Sequence, residues 1–319
     1  MSARIALFLL LSACGTPSSP PAATEAPAAE PTAAEPAAAP TLDKAAALRV
    51  KAAMKQLGTT LKGTLTATMS ESGPVAAMEV CSQHAGSLTD GVTNATGVTV
   101  GRSSLRLRNP DNVGPEWVSA WLTAQGERPA EGVQPSVTAA VREDGVPVVR
   151  GIGPIPVEAP CLVCHGPTDT RSPAIQAALA ERYPSDAAGG YAIGDLRGAI
   201  WAEVPVVDAG LTLHRNGDEP WPLDESTRTG MQRVRTAAMT GPPGGPEAAK
   251  RMAESIRTAL SELIQECSMD GEAHDALHTF LEAFFPTLDS LEAAGDAEQA
   301  AAARERMLAQ LALFNATFE

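Results

Sequence analysis

Cysteine is scarce: five residues in a chain of 319, too few for a disulfide-stapled scaffold. Positive charge is short too. Twenty-four Lys and Arg stand against 38 Asp and Glu, a formal net charge of −14. Nucleic acid phosphates are therefore repelled, and anionic lipid headgroups offer no electrostatic anchorage. The N-terminal apolar run covers only residues 5–11, whereas a membrane span needs about 20. No triad of enzyme type and no phosphate-cradling loop occurs in the chain.

What the chain does contain is Cys161-Leu162-Val163-Cys164-His165. Each thiol can add to a haem vinyl group, and the adjacent imidazole is then held under the iron. Two thiols at that spacing also suit zinc or a redox disulfide. A zinc site of that kind needs a second ligand pair at similar spacing, which the chain lacks. A thioredoxin-like motif opens a helix after a strand. Here Pro160 before the motif and Gly166-Pro167 after it predict a loop. Covalent haem c is the leading reading, and a bare thiol pair beside a chance histidine the plainer one.

The N-terminus agrees with an extracytoplasmic haem. Arg4, the run at 5–11 and small residues before Cys14 form a short export signal over 1–14. Leu11-Ser12-Ala13-Cys14 resembles the bacterial lipobox, which implies lipidation of Cys14; an ordinary cleaved signal is the alternative. Gly15 after the cysteine implies outer-membrane sorting. The expected location is the cell envelope, facing the periplasm or the surface, with the lipid as membrane anchor. Residues 15–41 are rich in Ala, Pro, Thr and Glu without an aromatic. Such a segment buries too little apolar surface to fold and predicts a disordered tether.

The remainder suits two domains. Residues 43–70 carry Leu48, Ala52, Leu57 and Leu61 at helical spacing. Ser72-Gly73-Pro74 punctuates, and a second helix runs to about residue 90 with Val75, Met78, Val80 and Cys81. Short β-branched runs follow at 98–100, 137–141 and 146–150, the last two joined by a hairpin at Glu143-Asp144-Gly145. Pro147 marks an edge strand or one beginning just after it. A helix over 115–123, a second over 172–183 and a closing strand over 198–204 complete an α+β unit spanning 42–207.

At this point a resemblance becomes specific. Gly73-Pro74-Val75-Ala76-Ala77-Met78-Glu79-Val80-Cys81, the stretch 101–110, Pro154-Ile155-Pro156 with the haem motif, and 183–199 stand in order at compatible spacing. Together they resemble the PAS-like c-type haem family over residues 44–206. The resemblance implies a PAS-like fold with a His/Cys axial pair: His165 as proximal ligand and Cys81 as the second. From its residues alone, Cys81 is equally readable as a buried structural cysteine. His84, one helical turn on, is a competing ligand or a solvent-side residue.

Arg102, Arg106 and Arg108 are candidate contacts for the haem propionates, since guanidinium grips carboxylate through two charge-assisted bonds. Alternation on a strand would put all three on one side; solvated arginines paired with surface acids are the alternative. Trp117 reads as core, and Asp195 and Arg197 as a pair across a turn.

A linker over 208–224 leads to a small all-α helical bundle over 225–319, with helices near 225–239, 247–266, 272–294 and 296–316. Pro286 is expected to kink or break the third of these. His274 and His278, at i,i+4, share a helix face. With Cys267 and Met269 from the preceding turn they form a soft N/S set suited to copper or zinc; surface histidines beside a buried cysteine are the plainer reading.

These features predict a cell-envelope lipoprotein with covalent c-type haem iron, acting in electron transfer or in redox or ligand sensing, with an unidentified redox partner or small ligand. A haem enzyme of peroxidase or reductase type is an alternative, weakened by Cys81 filling the distal side. A metal-handling lipoprotein working through its bundle is another.

Overall fold

The computed structural model describes residues 41–126 and 128–319. Cys14, the export signal and nearly all of the tether lie outside the described residues. Asp43 starts helix α1 (Lys44–Glu79) by accepting the Ala46 N–H at 2.7 Å. Ala46, Val50, Ala53 and Leu57 form the buried stripe; of the predicted positions Leu57 lies on it, Leu48 and Leu61 are half-buried beside it, and Ala52 is exposed. The punctuation at 72–74 is a break in this helix: Gly73 sits at φ 83°, a conformation open to glycine. Pro74 begins the next turn. The chain then passes through a single wide turn of π-helix at Val80–His84 into α2 (Ala85–Thr96). This extends past residue 90 because the left-handed stop is Gly97, whose N–H returns to the Thr93 carbonyl at 2.8 Å.

Strands β1 (Thr99–Ser103), β2 (Ser136–Val141), β3 (Pro147–Pro156) and β4 (Leu196–Pro205) form one antiparallel sheet in the order β1-β4-β3-β2. The predicted meander is β2-β3-β4. β3 is not an edge strand, because β2 and β4 flank it; Pro147 opens it, where a missing N–H removes little from the ladder. Helix α1 lies directly on the sheet: a Cβ at Gly151 would meet Val50 Cγ1 at 2.2 Å. Helix α3 (Glu116–Gln125) follows β1, with Trp117 packed edge-on against Trp201 at 6.0 Å, as a core residue. The one-turn helix α4 (Leu162–His165) and α5 (Pro173–Arg182) lie between β3 and β4. Mixed helices and one small antiparallel sheet make the chain α+β.

Helices α6 (Glu225–Ala238), α7 (Pro246–Glu266), α8 (Gly271–Glu292) and α9 (Ala297–Thr317) share a second core around Val234, Ile256, Leu260, Phe280, Phe284 and Phe314. Pro286 does not break α8. It removes the donor to the Glu282 carbonyl; the adjacent Ala283 carbonyl accepts the buried Gln310 amide at 3.0 Å and the Thr287 hydroxyl at 3.4 Å. The second core is not separate from the first. Ala45 of α1 belongs to it, Arg49 of α1 pairs with Glu305 of α9, and residues 40–319 form one compact unit. No helix among the described residues is long and apolar enough to cross a membrane.

Candidate functional site

The haem-type motif is not a loop. Cys161 ends a tight turn, its Sγ accepting the Glu158 N–H at 3.4 Å, and Leu162–His165 continue it as α4. The two thiols stand three positions apart on this turn and so share a side. Met78, at the end of α1, packs with Ile175, Leu179 and Tyr183, and Cys164 lies against that cluster. The motif and the segment leading into Cys81 thus share one small core, although 83 positions separate Cys81 from Cys164.

His165 Nδ1 lies 2.8 Å from the Ala188 carbonyl oxygen. A carbonyl only accepts, so Nδ1 carries the proton and Nε2 keeps its lone pair. Burial, then the positive charges of Arg197 and Arg108, push the His165 pKa down to about 3. A neutral imidazole with a free Nε2 is the form that ligates metal. Tyr191, 2% exposed, packs edge-on against the His165 ring at 6.2 Å, and its N–H returns to the His165 carbonyl.

Cys81 lies in the π turn. Burial pushes its thiol pKa up, while Arg102, Arg108 and Arg197 act to lower it. His84 closes the same wide turn and is exposed, the solvent-side placing that its sequence position allows.

The three predicted arginines do not alternate on a strand. β1 ends at Ser103, and the Ser104 hydroxyl bonds the Arg197 and Arg106 carbonyls, turning the chain. Arg102 stays on β1, whereas Arg106 and Arg108 reach the site from the loop. Arg108 grips both Asp186 oxygens at 3.1 Å and the Cys164 and Ala188 carbonyls at 2.6 and 3.1 Å. Arg106 donates to the Gly189 carbonyl and lies 3.7 Å over the Tyr191 ring. Arg171 donates twice to the Gly166 carbonyl. Arg197 does not pair with Asp195, whose Oδ2 accepts the Ala192 N–H instead. It is half-buried beside Tyr191, with its guanidinium 5.4 Å from that ring centre. Arg102, Arg106, Arg108, Arg171 and Arg197 thus gather around one site in a strongly acidic protein, with Asp186 bonded by Arg108. Tyr191 and Arg197 escaped the sequence reading. The available signal was that both tyrosines of the chain fall within 183–191.

Asp186 is held below the usual carboxylate range. Burial acts to raise its pKa, and hydrogen bonds from Arg108 and the Ala188 N–H more than reverse this. A depressed carboxylate pKa contributes stability that is complete above the unfolded value of about 4 and is lost as pH falls through the folded one. Replacing Arg108 with leucine leaves the carboxylate buried and unpaired, at an expected cost of about 3 kcal/mol near neutral pH. Urea unfolding at a series of pH values should show the gap from wild type closing below about pH 4; a gap independent of pH would contradict the pairing.

In the bundle, Cys267 Sγ accepts the Thr227 hydroxyl at 3.7 Å, and Cys267 and Met269 pack against the bundle core. His274 is half-buried and His278 exposed, with their Nε2 atoms 3.1 Å apart. Among the described residues no three His, Cys, Asp or Glu side chains gather closely enough to hold a metal ion. The structure therefore assembles the histidine pair of the predicted four-residue set.

No curated protein matches the chain. A solved structure, the crystal structure of the cyanobacterial heme-protein Tll0287, matches at 24% identity over 49% of this chain and 92% of that one, with a TM-score of 0.37. That likeness supports no residue-by-residue transfer. The Tll0287-like family model matches residues 34–205, just over half of the chain and all the elements of the site from α1 to β4. The chain therefore belongs to the Tll0287-like family.

Proposed function

We propose that the chain is a c-type haem protein of the cell envelope, with Cys161 and Cys164 forming the thioethers and with His165 Nε2 and Cys81 Sγ as axial ligands. The family and a solved heme-protein neighbour support haem. The observation that carries the ligand assignment is the neutral, Ala188-oriented His165, enclosed with the Cys81 thiol among arginines. The residues fit the group in three ways. Two thiols share one turn. A half-buried thiol, whose pKa burial raises, lies among three arginines that act to lower it. The arginine surplus matches the charge of two propionates, with Arg102, Arg106 and Arg197 as partners, because Arg108 is committed to Asp186 and two carbonyls. When bound, haem supplies a one-electron iron couple and little else.

The chain's own residues then do the tuning. Ala188 holds the proton on His165 Nδ1, Tyr191 keeps water from the ring, and the arginines offset the thiolate charge. A filled distal side favours electron transfer or redox and ligand sensing over catalysis. A PAS-like fold and lipidation at Cys14 complete the reading, as an anchored envelope protein.

Absorption and EPR spectra of the haem-matured protein in both oxidation states test it. A low-spin, thiolate-type ferric signal is expected, with haem that stays attached after denaturation. Haem extractable into acid solvent, or high-spin ferric iron, would overturn the assignment. Stopped-flow mixing with CO or NO then separates the two roles: uptake on reduction supports sensing, and none supports electron transfer.

A further inference from the structure

The α8 histidines form a site that the haem reading does not use. Their Nε2 atoms are 3.1 Å apart, with the rings nearly perpendicular at 86°. Two metal–imidazole bonds of 2.0–2.1 Å, meeting at angles between square and tetrahedral, set their nitrogens about 3–3.4 Å apart. The pair already stands at that bite. It is also held there: both residues lie on one face of α8, while Leu277, Phe280, Leu281 and Phe284 bury the helix in the bundle core. A rigid helix face costs little ordering when a ligand bridges i and i+4.

The electrostatics point the same way. Helix α8 carries Glu272, Asp275, Glu282, Asp289 and Glu292 and no Lys or Arg of its own, so its surface field draws cations. Arg257 of α7 bonds Asp289 and Glu292 at the far end of the helix and leaves the histidine end to its acids. Imidazole suits borderline divalent ions, with Cu²⁺ held more tightly than Zn²⁺.

We propose that His274 and His278 form a two-ligand site for a divalent transition metal, copper or zinc, open to water or an exogenous ligand in its remaining positions. Cys267 and Met269 lie against the core and are not part of it.

Calorimetric titration of the full, haem-matured chain with ZnCl₂ tests this. One ion per chain is expected, with affinity lowered at least tenfold in His274→Ala and in His278→Ala. Cys267→Ser and His214→Ala should bind as wild type does. Alanine favours helix at both positions, and far-UV circular dichroism checks that each variant is folded. Absence of binding by the wild type, unchanged affinity in the two histidine variants, or loss in Cys267→Ser would each overturn the proposal.

Discussion

Cys81→Ala should abolish the thiolate-type low-spin spectrum while leaving haem covalently attached. In the proposed site, attachment depends on Cys161 and Cys164, which sit on a turn built by the Glu158 N–H, the Cys164 carbonyl contact to Arg108 and the Tyr191 backbone. None of these involves residue 81. The proposed ligation does involve it, since Arg102, Arg108 and Arg197 act to lower the pKa of this half-buried thiol. An anionic ligand stabilises ferric iron, so its removal should raise the midpoint potential by a sizeable part of the roughly 0.8 V that axial ligands span. Loss of one buried sulfur costs only about 1 kcal/mol, so the fold survives and the spectrum can be read. A wild-type spectrum and potential in the variant would remove Cys81 from the ligand set and return the distal position to another group.

The largest loss of stability is expected at Arg304. This side chain, 1% exposed, donates to the Ala238 carbonyl at 2.8 Å and to the Asn94 and Ala95 carbonyls at 2.9 and 2.7 Å. It thereby closes the C-terminal ends of two helices, α6 and α2, where carbonyls lack intrahelical partners and a positive charge is favoured. Replacement by methionine keeps the methylene packing but leaves three carbonyls unpaired and Glu305 with Arg49 alone. A cost of about 3–5 kcal/mol is expected. For a unit of this size that lowers Tm by about 10 °C, which a thermal melt followed by circular dichroism would detect. A shift of a degree or two would show that the carbonyls find water instead. Helix α2 begins at the turn that holds Cys81, so Arg304 also ties the ligand segment to the bundle.

Much of this was legible in the amino-acid order because it depends on neighbours. The Cys161-to-His165 spacing, the helices between 43 and about 90, the hairpin at 143–145 and the bundle helices each follow from caps, glycines and apolar period within a few residues; the last turn of α2, to Thr96, was not foreseen. The π turn at Cys81 was not legible, since one inserted residue in a helix leaves no periodic mark over so short a length. Arg197 and Tyr191 were missed for a different reason. They join the site through contacts between distant segments: the Tyr191 N–H donates to the His165 carbonyl, and the Ser104 hydroxyl to the Arg197 carbonyl 93 positions on. Asp195 was a poor guide to Arg197, because β4 begins between them and carries the arginine inward.

Amino-acid order by itself therefore determined which groups stand together locally: two thiols and an imidazole within five residues. Packing over long separations settled the environment of those groups: a thiol brought beside the motif, an imidazole kept neutral by Ala188, and an arginine surplus around them. It also turned Cys267 and Met269 toward the bundle core and left His274 and His278 at its surface. Ligand identity is written in side-chain type and spacing, whereas burial and charge around a ligand arise only when distant segments exclude water together.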